Sequence, residues 1–213
     1  MSAASFQIRV CQNPDCGLRY PLQQGQSFGE RCPACLGQTV IALEQPLERE
    51  WTGAQDSPPS EIKLSVVLDN VRSASNVGSI LRSADAFEFV HAYLCGITPT
   101  PESPEVRKTA LGAERFVAWS AHKNAVQLIE GLKERGTSIL ALERERESIP
   151  IHSETLPGRS DTVLVVGNEV TGIDPGVLEI ADRIVHLPMR GHKRSFNVAV
   201  AFAIAAQSLR LRT

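Results

Sequence analysis

The sequence has no net positive charge. Its 22 lysines and arginines are outnumbered by 24 aspartates and glutamates, for a formal net charge of −2 over 213 residues. A protein that binds nucleic acid through its overall electrostatic field would need a strongly basic surface. Any contact with phosphate must therefore come from a local basic patch.

Long apolar runs are also missing. The longest run, residues 198–206, has nine residues, whereas a membrane-spanning helix needs about 20. The first residues contain no apolar run of signal-peptide length either. We therefore expect no membrane association and, by default, a cytoplasmic location. The 42% apolar and 22% charged content is typical of a folded protein.

Two common nucleotide-binding motifs are absent. No G-x-G-x-x-G follows a strand-like run, and no G-x-x-x-x-G-K-[ST] occurs in the chain. Nothing in the sequence therefore argues for dinucleotide binding or for a P-loop.

Cysteine is concentrated at one end of the chain. Four of the five cysteines form the pairs Cys11-x4-Cys16 and Cys32-x2-Cys35, with fifteen residues between the pairs. This spacing matches a zinc ribbon with four thiolate ligands, which would leave no open position on the metal. The alternatives are four unrelated thiols or two disulfides, the latter disfavoured where no secretion signal is present. The fifth, Cys95, is predicted to be a buried small apolar residue.

Composition divides the chain into three parts. Residues 1–45 hold the cysteine pairs and many turn-forming residues, and they are predicted to form a small zinc-ribbon domain. Residues 46–60 are predicted to be an acidic, partly extended linker, because five acids and one arginine lie between positions 44 and 61, together with three prolines. Residues 61–213 are predicted to form the main domain.

Hydrophobic periodicity in the main domain alternates between the patterns of strands and helices. Strands are predicted at 62–68, 89–94, 138–142, 162–166 and 184–187, and helices at 76–87, 121–135 and 195–211. Ser75 or Asn76 is the expected N-cap of the first helix. This alternation predicts an α/β domain with a mostly parallel sheet.

The last predicted helix is apolar on every face. Phe196 and the run 198–206 leave no polar stripe, which is typical of a helix that is buried all round. Burial against a second subunit as well as the sheet would explain this pattern, and so would a central core helix in a monomer.

Three segments carry side chains suited to chemistry. In the first, 76–84, Arg82 lies opposite the apolar stripe of its helix, and Asn76 lies at the helix start, where free N–H groups favour anions. A solvated arginine and an ordinary cap are the alternative. In the second, 163–172, a buried strand runs into a turn, and ligands bind at such strand ends in α/β proteins. An ordinary strand-to-helix turn is the alternative there.

The third segment, 187–201, joins a basic loop to the start of the last helix. Ser195 and Asn197 are expected to cap that helix. The loop before them is either a local phosphate-binding patch or a solvated loop. Its basic residues are Arg190, His192, Lys193 and Arg194.

Together these segments resemble the SpoU (TrmH) family of SPOUT methyltransferases over residues 62–211. The matching motifs are Asn76-x-Gly78-Ser79-x-x-Arg82-Ser83-Ala84, Gly167-x-Glu169-x-x-Gly172, Leu187-Pro188-Met189 and Ser195-Phe196-Asn197-Val198-Ala199-Val200-Ala201. The chain departs from the family at Phe196, where Leu is usual, and at Ala199, where Ser is common. Many relatives also carry a different RNA-binding domain in place of the cysteine-rich one.

The resemblance implies a fold and an activity. The expected fold is a parallel α/β domain with a C-terminal trefoil knot of the SPOUT type, working as a homodimer. The expected activity is transfer of a methyl group from S-adenosylmethionine to a ribose 2′-oxygen in tRNA or rRNA. A non-catalytic RNA-binding protein on the same scaffold is the alternative from another class, and base methylation is a second alternative.

The resemblance also assigns residues. It implies a catalytic set of Asn76, Arg82, Glu169, Ser195 and Asn197. It implies cofactor binding by Leu142, Gly167, Asn168, Glu169, Leu187, Met189, Ser195, Phe196 and Asn197. Because a guanidinium is essentially always protonated, we expect Arg82 to position a phosphate and stabilise charge instead of acting as a base. In a dimer, Arg82 could serve the site of the other subunit.

Overall fold

The computed structural model describes residues 5–23, 31–46, 62–153, 161–192 and 194–211. The chain divides into two compact units, Met1–Pro58 and Pro59–Thr213. The predicted linker lies, apart from Pro46, outside the described residues, and so does Lys193 of the basic loop. Within the described ranges, no helix is both long and apolar enough to cross a bilayer.

The amino-terminal unit is a three-stranded antiparallel sheet. Its strands are β1 (Ser5–Cys11), β2 (Arg19–Gln23) and β3 (Thr39–Pro46), in the order β2-β1-β3. Few side chains are buried among the described residues of this unit, and Cys32 is one of them. A sheet with so small a core needs an additional source of stability.

The larger unit is built on a seven-stranded sheet in which every pairing is parallel. The strands are β4 (Leu64–Asp69), β5 (Phe89–Cys95), β6 (Ala118–His122), β7 (Ser138–Leu142), β8 (Ile149–Pro150), β9 (Thr162–Val166) and β10 (Arg183–His186). Their order is β6-β5-β4-β9-β7-β10-β8. Every residue of β4 and β9 is buried, as expected for parallel strands covered on both faces. The prediction of a mostly parallel α/β domain is confirmed.

Helices cover both faces of this sheet. They are α1 (Ala74–Ala86), α2 (Pro104–Ala110), α3 (Ala125–Glu134), α4 (Pro175–Ile180) and α5 (Val198–Arg210). Buried residues of α1, α2 and α5 form one core cluster with alternate residues of β4. Buried residues of α3 and α4 form a second cluster with residues of β7 and β9.

Several predicted element boundaries are wrong. The expected helix at 121–135 starts at Ala125, and the residues before it form β6, which was not predicted. The N-cap of α1 is Ser73, whose Oγ accepts the backbone N–H of Asn76 at 3.3 Å. Asn76 therefore lies in the first turn, with its side chain free for other contacts.

The last helix is not buried all round within the chain. It begins at Val198, and one side packs into the core through residues such as Phe202 and Leu209. The opposite side leaves Val200 47% and Ile204 41% exposed. The helix is apolar on every face, as predicted, but no described residue packs over the outer face of α5.

Gly78 allows α1 and α2 to pack closely. A Cβ at this position would overlap the Val106 carbonyl oxygen and the Thr109 hydroxyl, and it would lie 2.8 Å from the Ala110 nitrogen. Helix packing therefore explains the glycine of the first motif. Gly78 helps to fix the position of α1, which carries Asn76 and Arg82, and needs no role in the chemistry.

Candidate active site

A cavity of about 440 Å³ opens beyond the carboxyl ends of β7, β9 and β10. This is the edge at which parallel α/β sheets bind ligands. The loops after these strands, together with the start of α5, supply its walls. All nine residues predicted to bind cofactor line it: Leu142, Gly167, Asn168, Glu169, Leu187, Met189, Ser195, Phe196 and Asn197.

Three of the predicted catalytic residues are joined by direct hydrogen bonds. The Asn197 side-chain amide donates to Asn76 Oδ1 at 3.0 Å, and the Asn76 amide donates to Glu169 Oε1 at 2.9 Å. The Glu169 carboxylate also accepts the backbone N–H groups of Arg72 and Ser73, both at 3.1 Å. The residues form a chain that ties the start of α1 to the loop after β9 and to the start of α5.

The charge of Glu169 is stabilised by these donors. Partial burial alone would raise its pKa, but the hydrogen bonds from Arg72, Asn76 and Ser73 outweigh burial and lower the pKa below the ordinary value. The stabilisation is therefore present above the ordinary glutamate range and is lost only as pH falls through the lowered pKa. We expect this carboxylate to remain ionised, and the chain of hydrogen bonds intact, at neutral pH.

The loop after β9 is held in one conformation. The backbone groups of Asn168 and Gly172 exchange two hydrogen bonds of 3.0 Å, and the Asn168 amide donates to the Asn70 carbonyl at 2.7 Å. Gly172 has φ +74°, which disfavours other residues, and a Cβ on Gly167 would overlap the backbone of Gly172 and Ile173. Both glycines of the second motif are thus required by the tight turn.

Asn197 has a second role as the N-cap of α5. Its Oδ1 accepts the backbone N–H groups of Ala199 at 2.9 Å and Val200 at 3.4 Å. Capping with Oδ1 leaves the amide N–H free to reach Asn76. Ser195 lines the cavity but does not cap the helix, contrary to expectation.

Arg82 is not brought to the cavity of its own chain. Arg82 is exposed and lies opposite the buried face of α1, as the apolar stripe of the helix predicted. It lies six positions after Asn76, which corresponds to about 9 Å along the axis of a helix. Among the residues that the structure describes, none forms a hydrogen bond or ion pair with the Arg82 side chain. The structure therefore does not bring Arg82 to the cavity that the other predicted catalytic residues surround.

Sequence reasoning missed part of the cavity wall. The additional polar residues that line it are Glu143, Arg144, His186 and Arg194. Ser148 Oγ lies 2.9 Å from His186 Nδ1, which links the loop after β7 to β10. Glu143 directly follows β7, so the rule that ligands bind at strand ends could have identified it. Arg194 is the member of the predicted basic loop that lines the cavity, and Arg190 and His192 are not among the lining residues.

The four clustered cysteines of the amino-terminal unit form a second candidate site. Their sulfur atoms all lie within 4.8 Å of one another, with Cys11 Sγ 3.4 Å from Cys35 Sγ and Cys16 Sγ 3.7 Å from Cys32 Sγ. All four are free thiols. Sulfur atoms that bind one zinc ion tetrahedrally lie about 3.8 Å apart, so this cluster fits the ion.

We expect Glu169→Gln to weaken binding of the S-adenosylmethionine that the resemblance implies by about tenfold, because the amide cannot accept all three donors and presents its own NH₂ to one of them. Titration calorimetry measures this effect. Glu179→Gln is the matched control, since Glu179 is an exposed residue of α4 outside the cavity. Equal affinities of the two variants and the wild type would show that the Glu169 contacts do not organise the cavity.

A parallel α/β domain with a cavity at the carboxyl ends of its strands has the architecture of a ligand-binding α/β protein. Residues 63–207 match the SpoU rRNA Methylase family, and the chain belongs to this family.

Individual relatives agree with this assignment. The chain is 33% identical over 141 residues to a tRNA (guanosine(18)-2′-O)-methyltransferase of Aquifex aeolicus, covering 66% of this chain and 65% of the relative. It is 33% identical over 176 residues to the 23S rRNA (guanosine-2′-O-)-methyltransferase RlmB of Pseudomonas syringae, covering 80% of this chain and 64% of the relative. The match therefore spans slightly less than two thirds of these relatives.

A solved structure shows the same fold. The S-adenosylmethionine-bound rRNA methyltransferase of Sinorhizobium meliloti superposes with a TM-score of 0.67 at 26% identity, covering 73% of this chain and 59% of that one. The similarity therefore extends over most of this chain.

Proposed function

We propose that this protein transfers a methyl group from S-adenosylmethionine to the 2′-oxygen of a ribose in tRNA or rRNA. The observation that carries the proposal is the hydrogen-bonded chain of Asn76, Glu169 and Asn197 at a cavity lined by all nine expected cofactor residues. The names of the relatives, which are 2′-O-methyltransferases of tRNA and 23S rRNA, support it. A cytoplasmic location belongs to the same proposal.

The residues that line the cavity suit the cofactor. Bound there, S-adenosylmethionine would supply an activated methyl group. The apolar walls at Leu142, Leu187 and Met189 suit a purine ring, and the backbone of the tight loop around Gly167 offers fixed polar groups. Glu169 and Asn197 would fix the positions of the loops that form these walls, and Ser195 would contact substrate or cofactor.

The remaining task is to activate a weak nucleophile. A ribose hydroxyl must lose its proton as its oxygen bonds to the methyl carbon, in line with the leaving sulfur. Arg82 would hold the neighbouring phosphate, so that a phosphate oxygen or a water accepts the proton. Asn76 would orient the ribose or Arg82. Since Arg82 does not line the cavity of its own chain, we propose that it acts in the active site of the partner subunit.

A homodimer is therefore part of the proposal. The exposed apolar residues Val200 and Ile204 on α5 suit a face that a second copy covers. The family also implies a trefoil knot. Size-exclusion chromatography with light scattering tests the dimer: a mass of about 46 kDa is expected from two 23.2 kDa chains, and a monomer would contradict it.

The cysteine cluster would hold one structural zinc ion. All four ligand positions would be filled by Cys11, Cys16, Cys32 and Cys35, so the ion would have no open position for catalysis. Its contribution would be to stabilise the amino-terminal sheet, which has few buried side chains.

Labelled methyl transfer tests the choice of substrate. Purified protein is incubated with radiolabelled S-adenosylmethionine and, separately, with tRNA or ribosomal RNA that lacks modifications. We expect incorporation into one of the two RNAs that saturates at one methyl group per molecule. Binding of cofactor and RNA without any incorporation would instead indicate a non-catalytic RNA-binding protein.

A further inference from the structure

Glu143 is an acidic residue of the cavity wall that the proposed mechanism does not use. It directly follows β7, where its backbone N–H donates to the Val185 carbonyl at 3.0 Å. One carboxylate oxygen, Oε1, accepts the Arg144 N–H at 2.9 Å, and the other, Oε2, accepts the Ile173 N–H at 3.2 Å. Two backbone contacts therefore fix the direction of this carboxylate.

Gly172 makes room for that carboxylate. A Cβ on Gly172 would lie 2.6 Å from Glu143 Oε2, closer than two such atoms can approach. The Glu143 side chain therefore occupies a defined place between the end of β7 and the loop after β9, and it forms part of the cavity wall.

The two carboxylates that line the cavity, those of Glu143 and Glu169, differ in how many further hydrogen bonds they can accept. Glu169 accepts three protein donors, one of them from the catalytic Asn76. Glu143 accepts two backbone donors, one on each oxygen. Since a carboxylate offers about four acceptor sites, Glu143 retains one on each oxygen for a ligand with two adjacent hydroxyl donors.

The positions of the two carboxylates suggest which part of the cofactor each faces. If Asn76, Glu169 and Asn197 form the catalytic set, the RNA ribose would enter beside them. The nucleoside of the cofactor would then be held at the end of β7, where Leu142 and Glu143 line the cavity. We propose that Glu143 accepts hydrogen bonds from the ribose 2′- and 3′-hydroxyls of S-adenosylmethionine. This inference rests on the proposed function and makes Glu143 a determinant of cofactor specificity.

A double-mutant cycle tests the contact. The ligands are S-adenosylhomocysteine and its 2′-deoxy and 3′-deoxy forms, and the proteins are wild type, Glu143→Ala and Glu143→Gln. Because a hydrogen bond to a charged group is lost, we expect removal of a hydroxyl to weaken binding to the wild type by about tenfold. Glu143→Ala should bind the parent ligand about 100-fold more weakly, because both hydrogen bonds are lost, with no further loss for either deoxy form.

The outcomes separate ligand recognition from a role in loop structure. If Glu143 served only to hold the Gly172 turn, the alanine variant would lose affinity but keep the full deoxy penalty, which would overturn the inference. A wild type that binds the parent ligand without any deoxy penalty would overturn it as well. A wild type that binds none of the three would contradict the proposed function itself.

Glu143→Gln, which retains one acceptor, should show a reduced but measurable penalty. Glu145→Ala, at an exposed position outside the cavity lining, is the control and should behave as wild type.

Discussion

Replacing Arg82 by alanine should lower methyl transfer by about 100- to 1,000-fold, the cost of removing one preorganised group that stabilises charge in a transition state. Arg82 is exposed and has no part in the core of α1, so the free energy of unfolding should change little. It does not line the cavity of its own chain. Steady-state kinetics and calorimetry should therefore show a loss in kcat with nearly unchanged cofactor affinity.

Two further variants make the Arg82 experiment specific. Arg82→Lys keeps the charge but not the planar pair of donors, so it should recover only part of the rate. Arg135→Ala removes an exposed arginine at the end of α3, on the opposite face of the sheet, and should leave the rate unchanged. Wild-type turnover by Arg82→Ala would remove Arg82 from the mechanism.

Mixed dimers locate the subunit in which Arg82 acts. Arg82→Ala and Asn197→Ala chains are each expected to be inactive alone. If Arg82 serves the partner's site, a mixed dimer contains one complete site, and random exchange of subunits should restore about a quarter of wild-type activity. If Arg82 serves its own site, both sites of the mixed dimer are defective and no activity returns.

Loss of one cysteine of the proposed zinc site should unfold the amino-terminal unit. Zinc binding contributes most of the folding free energy of small domains with few buried side chains, and Cys32 is fully buried in the sulfur cluster. We expect Cys32→Ser to reduce zinc from one ion per chain to almost none. Hydrogen exchange should then show loss of protection in β1, β2 and β3 but not in β4 or β9.

Cys95→Ala is the matched control for a thiol outside the cluster. Cys95 is buried in the core of the larger unit, as the sequence predicted, and its substitution should leave the zinc content at one ion per chain. Elemental analysis of the purified protein measures the metal directly. Wild-type protein that contains no zinc would contradict the proposed metal site, whatever the variants do.

The strands that position the site were readable from the sequence. Both β7 and β9 occupy the predicted residues, and β10 lies within one residue of its predicted bounds, because buried parallel strands are continuous apolar runs. By contrast, β6 was missed. It is an edge strand with the sequence Ala-Trp-Ser-Ala-His and no fully buried residue, so neither an apolar run nor a strict alternation marks it.

The contacts within the site could not be read in the same way. The resemblance assigned Asn76, Glu169 and Asn197 to one site, but their hydrogen bonds join residues 93 and 121 positions apart. Local patterns carry no information on such pairs. The sequence also placed the cap of α1 at the wrong residue, which hid the fact that the Asn76 side chain is available for Glu169.

The position of the transferred methyl group tests the central claim most directly. RNA methylated by the protein with labelled S-adenosylmethionine is digested to nucleosides and, in parallel, hydrolysed with alkali. The proposal predicts a 2′-O-methylated nucleoside and a labelled dinucleotide that resists alkali, since the methylated ribose cannot attack its phosphate. Label on a base, with an RNA backbone fully cleaved by alkali, would contradict it.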